Sequence, residues 1–343
     1  MARADKLHLT TFLIVTPVQH LLFTHTGTNV EFLLALPAIQ AARRHFDGTQ
    51  IWLAAPDRAC ELARLADCAD TTLALGPALS TVTQPSVFKS MRALSVLRKQ
   101  TFDAIVSLTG AFLENASAML LRARRRLVLH TGSARPRQHL TDAAAALVAR
   151  LGVPKTAAAP HLRLPPAMRA AEQQKLARLG WRDDRLTIAL HPTVGFAPQV
   201  WPSEQFLPLA VRLAAEYDAQ LLVIETEEET GLTERQRAAW KQYRFKPLFL
   251  RRPDAALLAV ALAQASVIVG SNRLPVHLAA AVQTPGVVIM DGTSDSGWLA
   301  PRHPHSRLLY AQPSRPVTVD DVFGLVCQVM AASRTAALLA SDD

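Results

Sequence analysis

The residues best placed to do chemistry lie in Ser266-Val-Ile-Val-Gly-Ser-Asn-Arg-Leu-Pro-Val-His-Leu-Ala-Ala-Ala281. A buried strand runs into a short turn, and Pro275 then opens a helix of small and apolar residues. Proline is favoured at a helix start because its missing N–H would be unpaired there anyway. The remaining free amides and the helix dipole form an anion site that needs no metal. Arg273 and His277 bracket that start and offer charge-assisted contacts to a phosphate. The competing reading is an ordinary crossover with His277 as a hydrogen-bonded core residue.

Four other features could carry function. Glu225 and Glu227–Glu229 cluster at the end of an apolar run, as acceptors for a ligand's hydroxyls or as a solvated strand end. His303-Pro304-His305 could hold a metal, although two histidines in a Pro-rich loop ordinarily sit on the surface. Arg122, Arg124, Arg125 and Arg126 form a dense basic cluster, followed by Arg135 and Arg137. Such a cluster suits an acidic lipid surface, a nucleic acid or a phosphorylated substrate, or is a solvated helix end. The three cysteines, Cys60, Cys68 and Cys327, form no CxxC and no even framework, which argues against a disulfide scaffold or structural zinc. There is no GxGxxG after a strand, no GxxxxGK[ST], no GxSxG and no HExxH.

The elements that must position these residues alternate. Strand-like runs at Leu21–Thr24, Ile51–Ala55, Thr71–Leu75, Asp103–Leu108 and Leu127–His130 are separated by helix-like segments at Glu31–Phe46, Asp57–Ala66, Ser86–Lys99 and Leu113–Arg124. The second half repeats the scheme. Its strands fall at Leu186–His191, Gln220–Glu225, Pro247–Leu250, Ser266–Gly270 and Gly286–Met290. Its helices fall at Ser203–Tyr217, Leu232–Tyr243, Asp254–Ala265 and Val276–Gln283, with a last one at Asp320–Ala332. Strand–helix alternation at this spacing means right-handed crossovers and parallel sheets, an α/β fold. The stretch Val153–Arg169 carries Pro154, Pro160, Pro165 and Pro166 without a period and reads as a linker. Two doubly wound domains, residues 1–165 and 166–343, would then face a central cleft, where ligands sit at the strand ends.

Composition agrees. The 343 residues are 50% hydrophobic and 19% charged, which excludes disordered, collagenous and coiled-coil proteins. The net charge of +9 is uneven: residues 1–185 hold 24 Lys/Arg against 13 Asp/Glu, and residues 186–343 hold 13 against 15. No apolar run reaches the roughly 18 to 20 residues of a membrane span. Lys6 followed by Leu9–Val15 faintly resembles a signal peptide, but no small-x-small site follows, so the expected location is cytoplasmic.

Three blocks in register resemble the ADP-heptose:lipopolysaccharide heptosyltransferases, glycosyltransferase family 9. Val269–Ala281 followed by Thr284-Pro285-Gly286 and a strand is similar to the family's Gly-Asn-Asp-Thr-Gly-Pro-Met-His-Leu-Ala-Ala-Ala signature and its Gly-x-Pro turn. His191-Pro192-Thr193 with Trp201-Pro202 is similar to the start of the family's second domain, and Leu21–Phe46 with Leu36-Pro37 to its first strand and helix. The resemblance spans roughly residues 21–330. It implies a GT-B architecture of two Rossmann-like domains, the first binding acceptor and the second nucleotide sugar. It also implies inverting, metal-independent transfer of a heptose to a lipopolysaccharide core or related glycan. No cofactor is expected; ADP-heptose enters as substrate, and the partners are a nucleotide sugar, a glycan acceptor and the anionic cytoplasmic face of the inner membrane, with no nucleic acid.

The resemblance also assigns residues. Glu31 falls where the family has its catalytic Asp, and Val30 where it has the preceding Gly; a plain helix-start carboxylate is the other reading of Glu31. Thr193 follows the His-Pro of the donor site. Gln199 replaces the family's phosphate-binding Lys, and Asn272-Arg273-Leu274 replaces Asp-Thr-Gly, so that Arg273 would supply the charge Gln199 lacks. Glu228 is the choice for the carboxylate on the donor ribose, and Arg122, Arg124, Arg125 and Arg126 for the acceptor or anionic surface. Substitutions at Val30, Gln199, Asn272 and Leu274 motivate an alternative, a catalytically degenerate GT-B protein that binds a glycan, a nucleotide sugar or a partner.

Overall fold

Leu21, Leu22 and Phe23 are apolar without alternation, so their strand must be covered on both faces, which only a central strand of a layered sheet provides. This strand, β1 (His20–Thr24), is the middle of a five-stranded parallel sheet. Its partners are β2 (Gln50–Ala55), β3 (Thr71–Ala74), β4 (Thr101–Ser107) and β5 (Arg122–Val128), in the order β3-β2-β1-β4-β5. The computed structural model describes residues 18–75, 84–109, 118–129, 138–155, 158–192, 201–226, 232–290, 297–312 and 315–341. Helices α1 (Asn29–His45) and α2 (Asp57–Leu65) join one large core, whereas α3 (Gln84–Leu97) covers a smaller cluster of Leu22, Ala54, Phe102 and Ile105.

The second sheet is also parallel, with six strands: β6 (Thr187–His191), β7 (Gln220–Glu225), β8 (Leu248–Arg251), β9 (Val267–Ser271), β10 (Gly286–Met290) and β11 (Arg307–Tyr310). Their order is β11-β10-β9-β6-β7-β8. Its helices are α6 (Phe206–Tyr217), after a 3₁₀ turn at Ser203–Gln205, α7 (Glu234–Lys241), α8 (Ala255–Gln264), α9 (Leu274–Ala281) and α10 (Val319–Ser341). Two further helices, α4 (Leu140–Ala149) and α5 (Pro166–Arg178), lie between the sheets in sequence.

Several elements depart from the sequence expectation. The expected helix at Leu113–Arg124 ends before Arg122, which starts β5; residues 110–117 lie outside the described residues. An edge strand can throw arginines into solvent while still pairing with β4 through its backbone. Arg124 reaches Asp103 of β4 at 3.4 Å, and Arg126 folds back onto the carbonyls of Ala118, Leu121 and Ala123. The expected linker ends early, because Pro166 takes the first position of α5, where its fixed φ favours the helix. The last helix runs on to Ser341, and α4 and β11 were not anticipated.

A single hydrophobic cluster contains residues of both sheets' layers, because α1 packs on α9 and α2 on α8. Polar contacts reinforce the junction. The Leu140 amide donates to the Trp298 carbonyl at 3.1 Å, and Arg302 grips Asp142 with two bonds of 2.9 and 2.6 Å. His139 caps α4 by accepting from the Thr141 amide through Nδ1, so its Nε2–H donates to the Ala300 carbonyl at 2.8 Å. The amide of Ala255, at the start of α8, donates to Glu61 of α2.

This shared core has a measurable consequence. Leu278 of α9 is fully buried in it. Leu278→Ala should cost about 2–5 kcal/mol and should shift one urea transition, seen identically by near-UV and far-UV circular dichroism. Two separated transitions would show that the halves unfold independently.

Candidate functional site

At the C-terminal end of β1 the chain turns through His25–Thr28 into α1. Thr28 is the N-cap: its side chain accepts from the Glu31 amide at 3.2 Å, while Glu31 Oε2 accepts from the Thr28 amide at 2.7 Å and from its hydroxyl at 3.0 Å. This reciprocal capping box satisfies donors that a helix start otherwise leaves open. No hydrogen bond engages Glu31 Oε1 among the described residues. The helix-start reading of Glu31 therefore accounts for Oε2.

The turn is held from below. His25 is fully buried, and its Nε2–H donates to the Thr28 carbonyl at 2.9 Å. Its Nδ1 consequently accepts from the Thr109 hydroxyl at 3.0 Å, and that oxygen in turn accepts from the amides of Thr26 and Gly27. Burial pushes the His25 pKa below its ordinary value, against the pull of the Thr28 carbonyl and the Glu31 charge. Gly27 is needed for space: a Cβ there would stand 2.4 Å from Glu31 Oε2 and 3.0 Å from the Thr109 methyl. His25, Gly27, Thr28 and Thr109 were all missed from sequence. Thr28 had a signal, the Thr-x-x-Glu spacing; Thr109 stands 84 residues from His25 and had none.

The second helix start is built differently. β9 runs between β6 and β10, and Gly270 allows β6 to come close, since a Cβ would lie 3.1 Å from that of His191. Arg273 is the exposed N-cap of α9 and no side chain caps the helix. Pro275 is its second residue, not its first. Asn272 Oδ1 accepts from His277 Nε2–H at 2.7 Å. His277 is 2% exposed, and burial, with His139 nearby adding to the effect, pushes its pKa down to about 3. It is therefore neutral, and its ring N–H is spent on Asn272. This corrects the expectation of a charged His277 on phosphate: it fixes the turn, and Arg273 carries the charge.

The remaining candidates separate. Glu225 is buried and committed to Arg237, 2.7 Å away, which also grips Glu234 at 2.6 Å. Thr193, Gln199 and Glu228 lie outside the described residues. Arg122, Arg124, Arg125 and Arg126 sit in the first part of the edge strand β5, pairing from Thr101 to Ile105 of β4, while Glu31 lies beyond the C-terminal end of the central strand β1. His303 Nδ1 accepts from the His305 amide at 3.2 Å, and among the described residues no group of three or more His, Cys, Asp or Glu is placed to hold a metal.

A carboxylate-bearing and a cation-bearing helix start, each following a strand at the C-terminal end of a parallel sheet, lie on helices that pack together, and ligands of open α/β sheets sit at such strand ends. A family model described as glycosyltransferase family 9 (heptosyltransferase) matches residues 91–308, well over half of the chain. The chain belongs to glycosyltransferase family 9. It is thus a glycosyltransferase with the two-sheet GT-B fold. Its fold is similar to that of a family 9 glycosyl transferase from Veillonella parvula (TM-score 0.76, 14% identity, covering 92% of this chain and 98% of that one). It is also similar to E. coli heptosyltransferase WaaC with ADP (0.72, 16%, 91% and 100%) and E. coli ADP-heptose heptosyltransferase II (0.72, 14%, 92% and 100%). No curated protein matches it in sequence.

The neutral state of His277 can be tested through stability. Its folded pKa of about 3 lies below the ordinary 6.5, so between these values the unfolded chain takes up a proton that the folded one refuses. Stability is full above about pH 6.5 and falls as the pH drops toward 3. His277→Gln should remove up to about one proton from that dependence in urea melts at pH 7, 6 and 5. An unchanged slope would mean that His277 titrates normally in the folded protein.

Proposed function

We propose that this glycosyltransferase moves a heptose from ADP-heptose, or a closely similar nucleotide sugar, to a lipopolysaccharide core or related glycan at the cytoplasmic face of the inner membrane, inverting the anomeric centre without a metal. The observation that carries the reading is Glu31, with Oε2 tied to Thr28 and Oε1 open, on a turn wired rigid by His25 and Thr109.

In this mechanism Glu31 Oε1 takes the proton of the acceptor hydroxyl as that oxygen attacks the anomeric carbon from the face opposite the diphosphate. The bond from the anomeric carbon to the diphosphate oxygen breaks, and its electron pair leaves with ADP. The charge on the departing diphosphate grows in the transition state, where the uncapped start of α9 and the Arg273 guanidinium meet it. Pro275 offers no amide there, so the guanidinium matters more than at an ordinary helix start. His277 contributes by holding Asn272, and His25 and Thr109 by fixing the Glu31 turn, which is catalysis by orientation. Support for the donor class comes from one similar protein, E. coli heptosyltransferase WaaC, solved with ADP and with ADP-2-deoxy-2-fluoro heptose.

Glu31→Gln keeps the capping box, since glutamine serves equally at that position, but cannot accept the proton. Turnover of ADP-heptose on a core oligosaccharide, followed by mass spectrometry, should fall by about 10² to 10⁴ while ADP affinity stays at the wild-type value. Wild-type turnover in this variant would remove Glu31 from the mechanism. Arg273→Ala should weaken ADP binding in calorimetry by about 1.5–3 kcal/mol, the worth of a hydrogen bond to a charged group. Undiminished affinity would place the diphosphate elsewhere.

A further inference from the structure

We infer that the seam between the two sheets is a positioning device for the transfer step, in which the peptide unit joining His161 to Leu162 and the Asp142–Arg302 pair set the separation of Glu31 from Arg273. Residues 153–169 read as a linker in the sequence, but residues 160–164 are laid on the core like a strand. Pro160, Leu162 and Leu164 are buried, while His161 and Arg163 between them are exposed. Alternation of period two marks an extended chain with one face covered. Leu162 and Leu164 both belong to the large hydrophobic cluster that the two sheets share. A linker that let the halves swing freely would run exposed, with few contacts crossing it.

The backbone of this segment is bonded to both helices that carry the site. Gln40 of α1 donates through Nε2 to the His161 carbonyl at 3.2 Å. The amide of Leu162 donates to the carbonyl of Ala281, the last residue of α9, at 2.8 Å. Those two groups belong to one peptide unit, which is planar and points its carbonyl and its N–H to opposite sides. A single rigid plane therefore joins the helix that begins at the Glu31 turn to the helix that begins at Arg273. The second tether lies at α4, which packs on α1. Its Asp142 takes both terminal nitrogens of Arg302, from the segment between β10 and β11, at 2.9 and 2.6 Å. Such a fork fixes an angle as well as a distance, and side chains only 29% and 23% exposed are screened less than a surface pair. Two directional tethers on different elements remove the rotation that one alone would leave. Asp142 and Arg302 are positioning residues in this scheme, since each acts through the helices and not on the substrate. The inference rests on the sugar-transfer reading for what is positioned, but not for the seam itself.

The test compares the full chain with its Arg302→Gln, Arg302→Lys, Asp142→Asn and Gln40→Ala variants, well below their melting temperatures. In hydrogen exchange read by mass spectrometry, the amides of Leu140, Leu162 and Ala255 each bond across the seam. They should exchange faster in Arg302→Gln, while amides within β1 and β9 keep the wild-type rate. Turnover of ADP-heptose on a core oligosaccharide should fall in kcat by up to about 10²-fold, the cost of a small misplacement far from the chemistry. ADP affinity should stay at the wild-type value, because Arg273 and its turn lie on the second sheet alone. Arg302→Lys, which keeps the charge but not the fork, should fall between the two. Arg302→Gln combined with Asp142→Asn should lose no more than either alone, as partners in one contact do. Faster exchange at the seam with wild-type kcat overturns the positioning role, and unchanged exchange there overturns the tether itself. Wild-type Leu162 exchange and kcat in Gln40→Ala overturn the part given to the peptide unit. Faster exchange in the variants of a wild type that turns over no heptose donor supports the seam and tells against the sugar-transfer reading instead.

Discussion

The first amides of an α-helix have no partner within the helix, and this protein resolves that constraint in two opposite ways. At α1 the chain closes the helix start on itself through Thr28 and Glu31. At α9 it leaves the start without a side-chain cap and places an exposed arginine there. The first solution fixes a carboxylate in one orientation. The second keeps a positive end open to an anion. A fixed carboxylate and an exposed cation are thereby made from the same structural problem, one on each sheet.

The two helix starts keep a fixed relation only if the sheets that carry them do. Apolar packing between α1 and α9 and between α2 and α8 supplies most of the contact, but burial is non-directional and tolerates sliding. The directional part comes from the α4 start. His139 spends both ring nitrogens, one on its own helix and one on Ala300, while Asp142 takes a two-pronged Arg302. The Arg302 bonds hold the Asp142 carboxyl below the usual carboxylate range, so this grip persists at neutral pH.

Much of this was legible in the residues. Alternating apolar runs and amphipathic stretches placed ten of the eleven strands among the described residues, β5 by its last residues only, because parallel strands covered on both faces must be continuously apolar. The errors have physical causes. β5 begins with arginines, and an edge strand does not need an apolar face, so its first residues read as the end of a helix. α4 is Leu-Thr-Asp-Ala-Ala-Ala-Ala-Leu-Val-Ala, nearly apolar all round and without a period, so it left no helical signature. At the site, Glu31, Arg273 and His277 were legible by position in the chain. The helix-start reading of Glu31 and the hydrogen-bonded core reading of His277 were legible too, each beside its alternative. What wires the Glu31 turn was not, because His25 meets Thr109 only after the chain has folded.

The turn before α9 shows how the departures from the family pattern fit together. The resemblance expects Asp-Thr-Gly, and the chain has Asn272-Arg273-Leu274. A buried, neutral imidazole needs an acceptor that carries no charge of its own, and the Asn272 amide oxygen is such a group; an aspartate in its place would draw a proton onto His277 inside the core. Leu274 is 4% exposed and packs in the large core, so the backbone freedom of a glycine has been exchanged for anchorage of the helix start. Both flanking positions now serve the interior. Of the three, only Arg273 faces outward, and it alone brings charge to the mouth of the helix. The three substitutions therefore act as one change: where the resemblance expects an acid and a bare backbone, the chain has a turn locked from within that presents a single guanidinium outward.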